Sequence, residues 1–207
     1  MKTSFKALMA GFVFAMAFAP IAHADDKAPR ASTASEGVNS PGKASGGLPT
    51  PPPDTSSAEL NRIKALEGRW SSTTSMFGKE NEKVYTEYEV TAGGSAVLER
   101  IFPGTPQEMV SVYYDDDKGK LAMTHYCVMR NRPTFKLVKT EGDTLTLDVA
   151  KVEGVKSKDD PSMGAMTLTF KDKDHFESTC KGRGKGAEDQ PAHTMEFTRV
   201  VSKNAKK

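Results

Sequence analysis

The chain of 207 residues carries 29 Lys and Arg against 27 Asp and Glu, a formal net charge of +2. A nearly neutral chain without a dense basic stripe argues against nucleic acid as a partner, because nucleic acids are held through many phosphate contacts. Two cysteines, Cys127 and Cys180, are too few for a disulfide scaffold, and their spacing does not fit a metal site. In an oxidising compartment they could pair, or they could stay two small buried thiols.

The first 24 residues have the pattern of a bacterial secretory signal peptide. Lys2 and Lys6 precede an uncharged apolar run over 7–21, and residues 22–24 (AHA) form a small-x-small cleavage site. The apolar run is shorter than the roughly 20 residues that span a bilayer, so no transmembrane segment is expected. Without Lys2 and Lys6, 27 basic residues balance 27 acidic ones. The pattern predicts a neutral exported protein, periplasmic or secreted.

Residues 25–57 are rich in Ala, Ser, Pro and Gly and contain almost no large apolar side chain. Such a segment cannot bury enough surface to offset the entropy lost on ordering. We therefore expect a disordered or extended linker between the signal peptide and a folded domain at 58–207.

A short helix is predicted at the start of that domain. Ser56 lies three residues before Glu59, the spacing of a capping box, and Gly68 ends the pattern. Three apolar residues then fall on one helical face: Leu60, Ile63 and Leu66. We expect this helix to plug or cover one end of the structure that follows.

From residue 69 onward the apolar pattern has period two, with turn residues at intervals typical of an all-β meander. The predicted strands are 69–77, 83–91, 95–102, 108–115, 119–129, 134–140, 144–152, 164–171, 174–180 and 192–201. The connections are too short for helical crossovers, so neighbouring strands should be antiparallel. Closure would remove exposed edges, and we therefore predict an all-β fold: a closed antiparallel up-and-down β-barrel of 8–10 strands.

The two halves of the predicted barrel differ in pattern. In the second half each strand has one apolar and one polar face, which predicts apolar side chains inside and polar ones outside. The inward residues are Phe135, Leu137, Leu145, Leu147, Val149, Met166, Leu168, Phe170, Met195 and Phe197. In the first half, neither face of 109–115 or 119–129 is plainly polar. Such mixed faces are expected where a strand meets a cavity or a partner.

Trp70 is the only tryptophan, and Arg199 shares a strand face with Phe197. An inward arginine needs its charge satisfied, and stacking on an indole while bonding to carbonyl groups would do so. Gly68-Arg69-Trp70 on the first strand, with an arginine closing the last strand, resembles the signature of the calycin β-barrels, the lipocalins and their relatives. The resemblance implies that Trp70 and Arg199 close one end of the barrel, a structural role.

Three further segments resemble an uncharacterised group of exported lipocalin-like bacterial proteins. They are residues 91–100 (TAGGSAVLER), 102–104 (FPG) and 123–133 (MTHYCVMRNRP). This resemblance implies a fold and no activity.

His125 is the main candidate for binding, because its strand parity places it among apolar and sulfur-containing side chains. A few polar groups in an apolar pocket are what small-ligand sites need. The candidate ligand-binding residues are Glu99, Tyr113, Met123, His125 and Met129. The same residues could instead form a buried network that fixes strand register. His125 and His193 are also candidate haem ligands, the weaker interpretation, and no other cofactor or metal is indicated.

These patterns lead to three hypotheses about function. The first is a non-catalytic binding protein for a small apolar or amphipathic ligand. The second is a protein-interaction module whose barrel is filled by its own side chains. The third is a haem-binding barrel. No arrangement of nucleophile and base indicates an enzyme, and the sequence leaves the oligomeric state open.

Overall fold

The computed structural model describes residue 50 and residues 52–201. The predicted signal peptide and most of the predicted linker lie outside the described residues. The described chain forms one short helix, α1 (Ala58–Lys64), and ten strands. Within this part of the chain, no helix is long and apolar enough to cross a membrane.

The ten strands follow the predicted runs closely. They are β1 (Gly68–Thr74), β2 (Glu82–Thr91), β3 (Ala96–Ile101), β4 (Met109–Asp115), β5 (Leu121–Tyr126), β6 (Arg132–Glu141), β7 (Thr144–Glu153), β8 (Ser162–Asp172), β9 (His175–Arg183) and β10 (His193–Arg199). Each strand pairs antiparallel with the next along the chain, and β1 pairs with β10. The prediction of a closed antiparallel barrel with a short helix before its first strand is confirmed.

The fifth strand is shorter than predicted. The pattern extended it to residue 129, but β5 ends at Tyr126. The backbone there enters a tight turn, in which the N–H of Cys127 donates to the carbonyl of Asn131 and Arg130 adopts a φ of 63°. The residues after Tyr126 are apolar, and an apolar turn has the same sequence pattern as a continuing strand. The predicted strand was therefore too long.

The helix is capped by Ser57 and not by Ser56. The Ser57 hydroxyl accepts a hydrogen bond from the backbone N–H of Leu60 at 3.0 Å. The backbone N–H and Oγ of Ser57 also donate to the two carboxylate oxygens of Asp115 at the end of β4, each at 2.6 Å. These bonds hold α1 over one end of the barrel. We call it the helix end, and the opposite one, where β1, β3, β5, β7 and β9 finish, the far end.

Arg199 and Trp70 are directly opposed in the pairing of β1 with β10. The Arg199 guanidinium lies 4.2 Å from the Trp70 ring centroid. It donates to the carbonyl oxygens of Ala65 (2.9 Å) and Glu67 (2.7 Å), just after α1, and to that of Lys173 (3.0 Å), just before β9. One side chain thus joins the helix, the first strand and the last hairpin at the helix end.

Candidate functional site

The interior of the barrel has two chemically different walls. The polar wall, on β2 to β5, consists of Thr86, Tyr88, Glu99, Ser111, Tyr113 and His125. The apolar wall, on β6 to β10, consists of Phe135, Leu145, Leu147, Met166, Leu168, Phe176 and Phe197. Strand alternation turns these residues inward, and all of them are at most 6% exposed. The apolar wall agrees with the alternation in the sequence. Half of the polar wall, Ser111, Tyr113 and His125, lies on the two segments whose faces are mixed.

Glu99 is the centre of the polar wall. Its two carboxylate oxygens accept hydrogen bonds from the hydroxyls of Tyr88 (2.6 Å) and Tyr113 (3.0 Å). Burial raises the pKa of Glu99, and hydrogen bonds from Tyr88, Ser111 and Tyr113 oppose that shift. Burial also raises the pKa of both tyrosines well above its ordinary value. The tyrosine hydroxyls therefore remain protonated, and they supply the hydrogen-bond donors that a buried carboxyl group requires.

His125 lies on the same row of the barrel wall as Glu99, with Ser111 between them in the strand pairing. Its Nδ1 lies 3.0 Å from Ser111 Oγ on the neighbouring strand. Burial lowers the pKa of His125 to about 4, so the ring is neutral near pH 7. Its Nε2 is buried and has no hydrogen-bond partner among the described residues, and the same holds for Thr86 Oγ1. Two buried polar atoms of the polar wall thus have no hydrogen-bond partner among the described residues.

The structure brings four of the five predicted ligand-binding residues into the interior. Glu99, Tyr113, Met123 and His125 are at most 5% exposed. Met129 differs: it is 68% exposed, because it lies in the turn between β5 and β6 and not on β5. The expectation that it faces the interior with the others is corrected here.

The remaining candidates lie apart from the polar wall. His193 is exposed at the start of β10, with its Nε2 3.5 Å from Thr74 Oγ1. Cys127 and Cys180 are free thiols in the structure. Cys127 Sγ lies 4.0 Å from Met109 Sδ, whereas burial raises the pKa of Cys180 to about 11 and keeps it protonated.

Three residues of the polar wall were not singled out from the sequence. Tyr88 could have been found, because it alternates with charged Glu87 and Glu89 on β2. Ser111 and Thr86 gave no such signal, since small hydroxyl residues occur on either face of a strand. Only the paired strands show that Ser111 lies directly across from both Glu99 and His125.

Fold and interior together define the class: a closed ten-stranded antiparallel β-barrel with a polar cluster buried on one side. No family model matches the chain, and no curated protein is significantly similar to it. Among solved structures, the chain is similar to a protein of unknown function from the DUF3598 family of Nostoc punctiforme, with 13% identity and a TM-score of 0.33. The match covers 67% of this chain and 48% of that one, so this chain spans about half its length.

Proposed function

We propose that this protein is an exported, non-catalytic binding protein that holds a small apolar or amphipathic ligand inside its barrel. The observation that carries the proposal is the pair of unpartnered buried atoms, His125 Nε2 and Thr86 Oγ1, opposite an apolar wall. Buried polar atoms in folded proteins nearly always have partners, and ligand pockets are apolar with a few placed polar groups. A ligand with one polar end could form a hydrogen bond with the polar wall and pack its apolar part against the apolar wall.

Two sequence patterns support the rest of the proposal. The signal peptide pattern over 1–24 favours a periplasmic or secreted protein. The Trp70 and Arg199 pair favours kinship with the calycin barrels, many of which hold small ligands.

Native mass spectrometry of the protein isolated from its own cell envelope tests the proposal. We expect a small molecule that remains bound to the folded protein and is released on denaturation. His125→Ala should lose that molecule and keep its melting temperature within a few degrees. Met129→Ala, in an exposed turn, is the matched control and should retain it. An empty wild-type protein, or a His125→Ala variant that no longer folds, would contradict the proposal.

Exposed apolar residues favour the interaction module as the second candidate. Tyr126, Val128 and Met129, in and beside the turn after β5, are 49%, 47% and 68% exposed. In that case the barrel is filled by its own side chains and its loops bind a protein partner. An empty wild-type protein whose partner is lost on Met129→Ala would support this candidate. A Soret absorption band that disappears in His125→Ala would instead identify a haem barrel.

A further inference from the structure

We propose that the far end of the barrel binds a monovalent copper ion through the thioether of Met109, the thiolate of Cys127 and the imidazole of His125. This inference goes beyond the proposed function and does not depend on it. The copper ion would use Nε2 of His125 and leave Thr86 and the apolar wall to a small ligand.

The strand pairing places these three side chains next to one another. Ser111 on β4 is paired directly with His125 on β5, and the same register continued by two residues sets Met109 opposite Cys127. Met109 begins β4 and shares the inward face with Ser111. Cys127 Sγ lies 4.0 Å from Met109 Sδ, so the cysteine sulfur is on that face as well. The two sulfur atoms therefore lie one inward position further along the strands than the imidazole.

The separation of the sulfur atoms fits a shared metal ion. Metal–sulfur bonds in proteins are about 2.3 Å long, and two of them at about 120°, as around a three-coordinate ion, would separate the sulfur atoms by about 4.0 Å. The observed distance between Cys127 Sγ and Met109 Sδ is 4.0 Å. Both residues are half-buried, so a metal ion can reach them from solvent.

The histidine has the surroundings of a metal ligand. Its Nε2 is buried and has no hydrogen-bond partner among the described residues, and its Nδ1 lies 3.0 Å from Ser111 Oγ. Ligating histidines almost always donate their second ring N–H to a neighbouring acceptor, which fixes the orientation of the ring. The Ser111 hydroxyl can accept that bond. Burial lowers the pKa of His125 to about 4, so near pH 7 the ring keeps the lone pair that a metal needs.

This set of ligands favours Cu(I) over divalent metals. Thioether and thiolate sulfur are soft ligands, which Cu(I) prefers and which Mg²⁺, Ca²⁺ and Mn²⁺ do not. Cys127 would release its proton on binding, and one thiolate neutralises one monovalent ion. A divalent ion would retain a net positive charge inside the barrel, which is costly. No three His, Cys, Asp or Glu side chains are grouped to hold a metal ion in the described part of the chain, so the methionine sulfur is needed to complete the site.

Competition for Cu(I) tests the site on the full chain. We would titrate the reduced protein, without oxygen, into the coloured complex of Cu(I) with bicinchoninate and follow its absorbance. We expect wild-type protein to withdraw one copper ion per chain. X-ray absorption spectroscopy of the copper-loaded protein should show two sulfur ligands and one nitrogen ligand. This second measurement requires no variant, and a copper ion without sulfur ligands would overturn the proposal.

Three variants each remove one ligand, and each has a control of the same residue type outside the site. The variants are Met109→Leu, Cys127→Ala and His125→Phe, and their controls are Met129→Leu, Cys180→Ala and His193→Phe. Each variant should weaken Cu(I) binding by at least about tenfold, because losing even the outer partner of a ligand has an effect of that size. The controls should bind as wild type does. In His125→Phe the two sulfur ligands should remain and the nitrogen ligand should disappear.

Three results would overturn the proposal. A wild-type protein that leaves copper with the chelator would show that the contact between Met109 and Cys127 is packing alone. A loss of binding in Met129→Leu but not in His125→Phe would place the metal in the turn after β5. Tighter binding of Zn²⁺ than of Cu(I) would refute the choice of metal. None of these results bears on the small ligand, because native mass spectrometry detects that ligand separately.

Discussion

At the scale of single residues, Arg199 shows how one side chain can stabilise distant parts of a barrel. Its guanidinium stacks on Trp70 and donates to three backbone carbonyls, two of which follow α1. Those carbonyls have no partner within the helix, as is general at helix ends. The planar fork of arginine can satisfy several acceptors at once, which a lysine cannot.

Arg199→Ala should therefore lower the free energy of unfolding by about 2 to 4 kcal/mol, because it removes these bonds and leaves carbonyls unpaired. Arg199→Lys should lose an intermediate amount. Arg100→Ala, on the outer face of β3, is the control and should change stability by less than about 0.5 kcal/mol. Urea unfolding, followed by Trp70 fluorescence, measures the free energy of unfolding of all three variants. Equal losses in the two alanine variants would refute the role given to Arg199.

The buried residues Glu99 and His125 give opposite dependences of stability on pH. Burial raises the pKa of Glu99, so its contribution is present at low pH and is lost as pH rises through the folded pKa. Burial lowers the pKa of His125 from 6.5 to about 4, so its contribution is present above pH 6.5 and is lost as pH falls toward 4. The contributions of Glu99 and His125 to the free energy of unfolding therefore change in opposite directions and partly cancel between pH 6.5 and about pH 4.

Glu99→Gln should remove the Glu99 contribution. The free energy of unfolding should then fall more steeply than in wild type on acidification from about pH 6.5 to about pH 4. The remaining His125 contribution is about 2 to 3 kcal/mol over that range. Glu89→Gln, at an exposed position on β2, should leave the wild-type pH profile unchanged. Unfolding free energies at several pH values provide the test, and parallel profiles for Glu99→Gln and wild type would contradict it.

At the scale of elements, α1 depends on its cap and on Asp115 more than on its own length. A helix of seven residues is not stable alone, because nucleation costs more than a few hydrogen bonds return. Ser57 both caps α1 and bonds to the end of β4. The capping-box spacing in the sequence predicted Ser56 as the cap. The sequence alone could not distinguish the two adjacent serines, because the choice depends on where the folded barrel places Asp115.

Ser57→Ala should lower the free energy of unfolding by about 1 to 2 kcal/mol, the usual cost of losing an N-cap. Ser56→Ala is a matched control one residue away. Its Oγ accepts from Lys64 and reaches the carbonyl of Gly94 only at 3.4 Å, so we expect a loss below about 0.5 kcal/mol. Thermal unfolding of both variants decides between the two serines, and a larger loss in Ser56→Ala would favour the capping box.

At the scale of the whole molecule, the seam between β1 and β10 has the fewest paired residues of any two neighbouring strands in the barrel. These strands pair only where Trp70 meets Arg199 and where Ser71 meets Thr198. In contrast, β1 pairs with β2 along its whole length, from Gly68 to Thr74. A ladder with fewer bonds opens at a lower free energy.

Hydrogen exchange should therefore be faster at the amide of Val200, which bonds to the carbonyl of Arg69 across the seam, than at amides between β1 and β2. Arg199→Ala should accelerate exchange at the seam more than elsewhere. Exchange followed by NMR measures both. Uniform protection around the barrel would show that it opens only by global unfolding.

The sequence by itself determined the ten strands, the short helix and the apolar wall. These features follow from local physics: alternating side chains report which face of a strand is buried, and turn residues report where it ends. The prediction failed at β5, whose end depends on the bond between Cys127 and Asn131 and not on hydropathy. Met129 was misplaced for the same reason.

Only the tertiary structure decided how the polar wall is connected. Glu99, Ser111 and His125 lie on three strands, and their contact depends on the register in which β3, β4 and β5 pair. A shift of one residue in any of these strands would turn that strand's side chain to the other face. The sequence named Glu99 and His125 as polar residues among apolar ones. The barrel gave Glu99 the hydroxyls of Tyr88 and Tyr113 as donors, and it left Nε2 of His125 without a hydrogen-bond partner among the described residues.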